Sequence, residues 1–235
     1  MQDKTASKED MLNKGNEFST GEKPKVLTTT DFFTVAEERR SVRKYDTNYK
    51  MDEKEIRDIL EAAILAPSSS NLQSWRFLVI EDQEAKEKLL PMAFNQQQVV
   101  EASAVIAVLG KEDAYKDANK IYGQLVENGS LPEEAKEGYV NNIVDMYSSA
   151  SRDKRTRIAM IDGGLISMQL MLAAKAKGLD TVPMGGFDEK AFVEAFNVPE
   201  NYEPVMLIAL GKGEVAGFPK NRLPLDDILA WNKYE

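Results

Sequence analysis

Short apolar segments separated by long helical stretches are the feature that most constrains the fold of this 235-residue chain. Four of these segments have the length and the largely β-prone composition of strands, namely residues 76–80, 104–109, 181–184 and 204–210. Because helical stretches rather than tight hairpins lie between them, the pattern favours an α+β sandwich over a barrel. A chain of this length can form one compact domain with a substantial core.

Local signals predict where three of the helices begin and end. Asp31 is expected to cap a first helix that runs to a basic segment starting at Arg39. A second helix follows Asp52 and stops at Pro67, and its apolar face consists of Ile56, Ile59, Leu60, Ala63 and Ile64. A third, over residues 155–177, is almost wholly apolar after residue 162, as expected of a helix buried on most sides at the centre of a dimer.

The first 25 residues are polar and contain few large apolar groups. We expect them to form a disordered or loosely attached extension, with residues 26–235 folding as a single domain. They lack the apolar core of a signal peptide, and no stretch approaches the roughly 20 apolar residues of a membrane span. These observations predict a soluble, cytoplasmic protein with no membrane partner.

The composition excludes several classes of chemistry. The chain has no cysteine and no histidine, so thiolate and imidazole metal sites, iron–sulfur clusters and Cys or Ser–His nucleophile systems are not available. The usual general base at neutral pH is absent too. Demanding chemistry would therefore need a cofactor that carries electrons or hydride. A net charge of −9 argues against non-specific binding to nucleic acid.

Two basic segments are candidate anion sites in this acidic chain. The first comprises Arg39, Arg40, Ser41, Arg43 and Lys44, and the second contains Lys220 and Arg222. Either segment could be ordinary solvated surface, and cations at a helix C-terminus complement the helix dipole. Guanidinium groups also bind phosphate oxygens in a bidentate manner, so the two segments could instead enclose one phosphate from two sides.

Two further segments could contact a planar ligand. The polar loop over residues 67–75 carries four serines, which an ordinary loop would explain, but the amides of Asn71 and Gln73 could also pair with the edge of a heterocycle. Residues 184–187 contain Gly185 and Gly186 after a strand, where backbone amides would be accessible to a ligand. A plain tight turn explains these glycines equally well.

Residues 211–216 match the dinucleotide pattern G-x-G-x-x-A after a predicted strand. That fingerprint must open a helix, whereas Pro219 and further loop residues follow here. We therefore predict that the chain has no Rossmann fold.

Five segments, taken in order, resemble the nitroreductase family of flavoproteins over roughly residues 30 to 230. They are residues 39–45, 66–75, 94–95, 178–187 and 219–224. The resemblance implies a central, mainly antiparallel sheet surrounded by helices, in an intertwined homodimer with FMN at the interface. It also implies a ping-pong cycle, in which NAD(P)H reduces the flavin before a nitroaromatic, quinone or related conjugated acceptor oxidises it.

The resemblance implies a role for each residue that matches a family motif. Arg39, Lys220 and Arg222 would hold the FMN phosphate, while Ser41 and Arg43 would approach the ribityl chain and the pyrimidine end. The partner subunit would contribute Pro67, Ser68, Ser69 and Asn71, with Gln73 close by. Asn95 would contact the polar edge of the ring, and the amide of Gly185 or Gly186 would face flavin N5. Arg40, Gln98, Pro183 and Met184 complete the predicted cofactor site.

No side chain is assigned as a catalytic acid or base, because the chemistry takes place at flavin N5. A cation near flavin N1 and O2 stabilises the negative charge of the reduced ring, and Arg43 is the candidate. Residues 114–151 are expected to cover the flavin face. Tyr122, Tyr139, Met146 and Tyr147 are possible substrate contacts there, although helix packing would explain each of them.

Three positions depart from the family pattern. Gln98 stands where a lysine is frequent, Gly185 where a glutamate is frequent, and Ser74 where a proline is common. The first two weaken the substrate assignment more than the cofactor assignment. Two alternatives therefore stay open. One is a family member with a dedicated substrate (dehalogenase-like, flavin-fragmenting or heterocycle-oxidising), and the other is a non-catalytic flavin-binding protein.

Overall fold

The computed structural model describes residues 21–25, 27 and 30–234. The main sheet contains β2 (Trp75–Ile80), β3 (Ala104–Lys111), β4 (Asp180–Met184) and β5 (Tyr202–Gly211). These strands are antiparallel throughout and lie in the order β2-β3-β5-β4. A second sheet pairs β1 (Lys44–Tyr45) with β6 (Gly213–Val215). The four predicted strands and the α+β class are confirmed.

Eight α-helices surround the sheets within the described part of the chain. They are α1 (Phe32–Glu38), α2 (Glu53–Ala63), α3 (Gln83–Leu89), α4 (Gln98–Glu101), α5 (Ala118–Glu127), α6 (Glu133–Ser148), α7 (Arg152–Ala176) and α8 (Glu189–Ala195). Short 3-10 turns occupy Ser69–Asn71, Ala114–Asp117 and Leu225–Asp227.

The first two helices begin where their capping residues predict. The Asp31 side chain accepts a backbone N–H from the first turn of α1, and Asp52 forms a reciprocal capping box with Glu55 at the start of α2. Ile56, Ile59 and Ala63 of α2 are buried as predicted. Ile64 is exposed instead, because it lies just beyond the last turn of the helix.

Alternate residues of the central strands pack against helices on opposite faces of the sheet. On one face, Val105 and Leu207 lie in a cluster that includes Phe192 of α8. On the other face, Ile106 and Ile208 pack against apolar residues of α2 and α7. Helices therefore cover both faces of the sheet, and this packing holds the strands in place.

Helix α7 lies directly against the sheet, but it is buried on one face only. At Gly163 an added Cβ would lie 2.6 Å from a methyl group of Val205, so this close approach of helix to strand requires glycine. Ile161 and Leu165 point away from the sheet and are 63% and 44% exposed. The prediction that α7 is buried on most sides was therefore wrong for the single protomer. The helix also begins earlier than predicted, because Ser151 caps it.

By length and composition alone, α7 would pass as a membrane span among the described residues, and half of its qualifying window is buried inside the protein. This differs from the prediction that no stretch reaches such a length. A core helix of a soluble protein passes the same test, so a single helix of this kind is weak support for a span.

The segment before α1 contacts the body of the protein. The carbonyl of Glu22 accepts the backbone N–H of Ala216, and Lys25 forms an ion pair with Glu38. These contacts attach the last residues of the predicted extension. Residues 1–20 lie outside the described residues, so the rest of that expectation stays a prediction.

The glycine pattern at residues 211–216 forms an edge strand rather than a helix start. Gly213–Val215 pairs antiparallel with β1, and no α-helix follows it in the described part of the chain, where only a 3-10 turn at Leu225–Asp227 occurs. The predicted absence of a dinucleotide fingerprint is confirmed.

Candidate functional site

The two basic segments meet at one surface. Together they line an open cavity of about 210 Å³ formed by Arg39, Arg40, Ser41, Arg43, Phe218, Pro219, Lys220 and Arg222. Their approach depends on Gly217, where an added Cβ would lie 2.5 Å from the carbonyl oxygen of Ser41. The Lys220 ammonium donates to the carbonyls of Ala36 and Glu37 at the end of α1. We call Arg39, Arg40, Arg43, Lys220 and Arg222 the basic cluster.

The basic cluster concentrates positive charge that no described carboxylate neutralises at ion-pairing distance. Burial, followed by the guanidiniums of Arg222 and Arg40, lowers the pKa of Arg39. Burial, followed by the charges of Arg40, Arg39 and Arg222, lowers the pKa of Lys220. The Arg39 Nε atom is buried and has no hydrogen-bond partner among the described residues. A bound anion would relieve both the repulsion and the missing hydrogen bond.

The basic cluster is attached to the outer strand β4. Ser41 forms a parallel bridge with Thr181, and the backbone N–H of Val42 donates to the Thr181 carbonyl at 3.1 Å. Because this bridge is parallel, the chain from Ser41 to Arg43 runs in the same direction as β4, towards its C-terminal end. The structure therefore places Ser41 and Val42 beside the strand that continues into Gly185 and Gly186.

The turn at Gly185 and Gly186, here the glycine turn, is held by the segment before α4. The Gln96 amide nitrogen donates to the Gly186 carbonyl at 3.0 Å, and the backbone N–H of Asp188 donates to the Met92 carbonyl at 2.7 Å. Asn95 is the neighbour of Gln96 and adopts a left-handed backbone with φ of 55°. The predicted residue Asn95 and the predicted glycine turn thus belong to one connected unit.

Gly185 is exposed, and no other group lies within 4 Å of the position that a Cβ would occupy. Pro183 and Met184 precede it as the last residues of β4. Gln98 is only 1% exposed, and its amide nitrogen donates to Gln96 and to the sulfur of Met184. These bonds support the neighbouring segment, and they leave little surface for the direct cofactor contact that the resemblance implied for Gln98.

The polar loop over residues 67–75 is shaped by hydrogen bonds to its own residues and to α7. Asp162 of α7 accepts the backbone N–H and the hydroxyl of Ser69 and the hydroxyl of Ser74. The Ser68 hydroxyl accepts the backbone N–H of Gln73 at 3.0 Å. Within this loop Ser70, Asn71 and Gln73 have left-handed φ angles of 51°, 54° and 48°. Such backbone is strained for residues other than glycine and persists only where the surroundings enforce it.

The polar loop does not line the cavity of the basic cluster within one protomer. Pro67 and Asn71 are exposed, whereas Ser68 and Ser69 are partly buried and hydrogen-bonded. The resemblance assigns this loop to the site of the partner subunit, and that assignment stays a prediction.

Helices α5 and α6 dock on the polar loop through tyrosines. The Tyr122 hydroxyl donates to the Ser70 carbonyl at 3.2 Å, and the Tyr147 hydroxyl lies 3.1 Å from the Ser70 hydroxyl. Tyr122 stacks on Tyr139. These tyrosines take part in packing, although Tyr139 and Met146 each keep about half of their surface exposed, 53% in both cases.

Comparison with known proteins identifies the family. The model of the nitroreductase family matches residues 36–212. YdgI of Bacillus subtilis, named as an NAD(P)H nitroreductase, is 43% identical over 208 residues, which cover 88% of this chain and 100% of that protein. The chain belongs to the nitroreductase family.

A solved structure and a second relative are also similar to this chain. A family protein from Exiguobacterium sibiricum, solved in complex with FMN, is 46% identical with a TM-score of 0.85, over 88% of this chain and all of that one. The CLA biosynthesis enone reductase of Lactiplantibacillus plantarum is 34% identical over 191 residues, which cover 80% of this chain and 88% of that protein.

Two residues of this nitroreductase-family site were not predicted from the sequence. Gln96 reaches a carbonyl 90 positions away, and Asp162 reaches hydroxyls 88 and 93 positions away. The only sequence signal for Asp162 is that it is the last acidic residue before a long apolar stretch. Nothing distinguishes Gln96 within the run of three glutamines at 96–98.

Proposed function

We propose that the protein is an FMN-dependent oxidoreductase that uses NAD(P)H to reduce nitroaromatic, quinone or related conjugated acceptors by a ping-pong mechanism. The observation that carries the proposal is the basic cluster, whose positive charge has no carboxylate partner at ion-pairing distance among the described residues, and whose first segment pairs through Ser41 with β4, the strand that precedes the glycine turn. The family membership and the FMN complex of the Exiguobacterium protein support it.

The residues present fit FMN at both of its polar ends. Arg39, Lys220 and Arg222 would hold the phosphate, where the buried Arg39 Nε offers an unused donor. Ser41 and Arg43 would contact the ribityl chain and the pyrimidine. The open space over Gly185 would admit a planar ring close to the backbone. We expect Asn95 and, from the partner subunit, Pro67, Ser68, Ser69, Asn71 and Gln73 to complete the site.

Bound FMN would supply hydride uptake and release at N5, chemistry that no side chain of this chain can provide. The fixed charge of Arg43 would stabilise negative charge at the pyrimidine end of the ring. The glycine turn would present a backbone N–H without a side chain to obstruct an incoming substrate. None of these roles needs a histidine or a cysteine, which agrees with the composition.

We further propose that the protein is a homodimer with FMN between its subunits. The apolar residues that α7 exposes support this, because a monomer would leave Met160, Ile161, Leu165 and Met168 in water. Ile64 and Leu65 after α2, and Trp231 near the C-terminus, are exposed as well. We place this dimer in the cytoplasm, with residues 26–235 as its FMN-binding domain and no nucleic-acid or membrane partner.

A second candidate function keeps the cofactor and changes the acceptor. The CLA biosynthesis enone reductase is 34% identical, which supports a dedicated enone substrate as the second candidate. A dehalogenase-like, flavin-fragmenting or heterocycle-oxidising activity has no comparable support among these relatives. Turnover of an enone but not of a nitroaromatic or a quinone would favour this candidate.

The first experiment is an anaerobic visible spectrum of the purified protein before and after addition of NADH or NADPH. We expect flavin absorbance at about 450 nm that bleaches when NADH or NADPH is added. Bound flavin that neither nicotinamide bleaches would point to a dedicated substrate or a non-catalytic flavin-binding protein. A colourless protein that does not bind added FMN would contradict the proposal.

A further inference from the structure

Gln96 is a buried side-chain amide between two segments of the proposed site. It is 6% exposed, and its nitrogen donates to the carbonyls of Ala93 and Gly186, each at 3.0 Å. Its oxygen accepts the amide nitrogen of Gln98 at 3.1 Å. Both hydrogens of the nitrogen and the oxygen therefore have partners.

The bond from Gln98 fixes which way the Gln96 amide points. Because Gln98 donates to the oxygen of Gln96, the nitrogen of Gln96 must face the opposite side, where Gly186 offers a carbonyl. A flipped Gln96 amide would place two donors against each other and its oxygen against two carbonyls, which costs free energy in a buried setting. The Gln96 amide thus has one favourable orientation, whereas the buried oxygen of Gln98 has no hydrogen-bond partner among the described residues.

The glycine turn needs such an external anchor. Two adjacent glycines restrict their own φ and ψ angles least of all residues, so the chain alone does not determine where their N–H groups point. Strand pairing fixes Met184 on one side, and the N–H of Asp188 bonded to Met92 fixes the other side. Between these two points, the Gln96 bond holds the Gly186 carbonyl and with it the planar peptide that joins Gly186 to Phe187. Because this peptide is held, Gly186 has less freedom to rotate, and the orientation of the N–H groups before it is restricted.

We propose that Gln96 is a positioning residue that orients the backbone N–H groups of the glycine turn towards the reactive edge of the flavin. The inference rests on the proposed function. Gln98 orients the Gln96 amide, and Gln96 in turn holds the Gly186 carbonyl. The two amides would thereby determine the orientation of the backbone N–H that bonds to flavin N5. In this role Gln96 does not itself contact the reacting atoms.

The test is ¹⁵N NMR of the holoprotein reconstituted with ¹⁵N-labelled FMN, using Gln96→Met, which keeps the side-chain length and removes both donors. We expect the N5 resonance to move towards that of a flavin without a hydrogen bond at N5, while the N1 resonance stays in place. Flavin reduction at saturating NAD(P)H should slow by roughly tenfold, with little change in KM. Gln83→Met, at an exposed glutamine of α3, is the matched control and should leave both readouts unchanged.

An N5 resonance and a reduction rate equal to those of the unmodified protein would overturn the inference. If Gln96→Met does not fold, Gln98→Met is the variant that tests the inference. It removes the donor that orients the Gln96 amide, so the N5 resonance should move in the same direction by a smaller amount. An unmodified protein that binds no FMN would instead contradict the proposed function, so the two failures are distinguishable.

Discussion

Ser69 donates two hydrogen bonds to a single carboxylate oxygen of Asp162. Its backbone N–H and its hydroxyl both lie 3.0 Å from Oδ1, and the second oxygen of Asp162 accepts the Ser74 hydroxyl at 2.9 Å. Asp162 is 1% exposed in the middle of α7. The helix that exposes the apolar residues of the proposed dimer interface therefore also determines the shape of the polar loop.

Asp162→Ala should destabilise the protein and release the polar loop. Three donors would lose a charged acceptor in a buried place, so the free energy of unfolding should fall by about 3 kcal/mol. Urea denaturation measures this change. Asp162→Asn is the control, since it keeps one oxygen acceptor for Ser69 and should cost about 1 kcal/mol. An unfolding midpoint unchanged in Asp162→Ala would show that the loop is held by other contacts.

Arg39→Ala and Arg222→Ala should each weaken FMN binding. Loss of one charge-assisted hydrogen bond to a phosphate is worth about 1.5 to 3 kcal/mol, which is roughly a 10- to 150-fold increase in Kd. Quenching of FMN fluorescence measures it. Arg57→Ala removes an exposed arginine from α2 that pairs only with Glu53 among the described residues, and should leave the affinity unchanged. Equal affinities in all three variants would exclude the basic cluster as the phosphate site.

FMN affinity should fall as the pH rises into the alkaline range. Burial and the neighbouring arginines lower the pKa of Lys220, so its ammonium loses a proton at a lower pH than an ordinary lysine does. Bound phosphate favours the charged form, so affinity is greatest below that lowered pKa and declines as the pH passes through it. Titration of FMN binding over this range measures the effect.

The matched variant for the pH experiment is Lys220→Arg. A guanidinium stays charged throughout the same range, so the decline in FMN affinity should move to higher pH or disappear. If the decline is the same with arginine at this position, a group other than Lys220 controls it.

Leu165→Glu should convert the dimer to monomers and release FMN. The change places a charge on the apolar residues that α7 exposes in the protomer, where desolvation in an interface would be costly. Size-exclusion chromatography with light scattering, read together with flavin absorbance, measures both effects. Lys190→Glu introduces the same residue at an exposed position of α8 and should remain a yellow dimer. Retention of FMN by a monomeric Leu165→Glu protein would contradict a site shared between subunits.

The sequence predicted those parts of the fold that depend on local signals. Asp31 and Asp52 predicted the starts of α1 and α2, because a capping side chain bonds to backbone N–H groups within the same turn. Compact apolar segments predicted the strands of the main sheet. The meeting of Arg39 with Arg222 was proposed from charge alone, and the structure places both at one cavity.

Features that depend on distant partners could not be predicted in this way. Strand β6 is three residues long and pairs with β1, so its residues carry no periodic pattern of their own. Leu165 and Met168 were expected to be buried, since apolarity alone does not distinguish the core of one protomer from a surface that a second copy would cover. Gln96 could not be distinguished from Gln97, because its partner Gly186 lies 90 positions away in the turn that follows β4.

The basic cluster joins the two ends of the chain, since Lys220 bonds to a carbonyl 184 positions before it. A ribosome must therefore synthesise nearly the whole polypeptide before the proposed phosphate-binding surface is complete. A nascent chain that has already formed α1 and all four strands of the main sheet would still lack two of the five cations. We therefore expect tight binding of the cofactor only after translation, and weaker retention of FMN by a protein truncated shortly before Gly217.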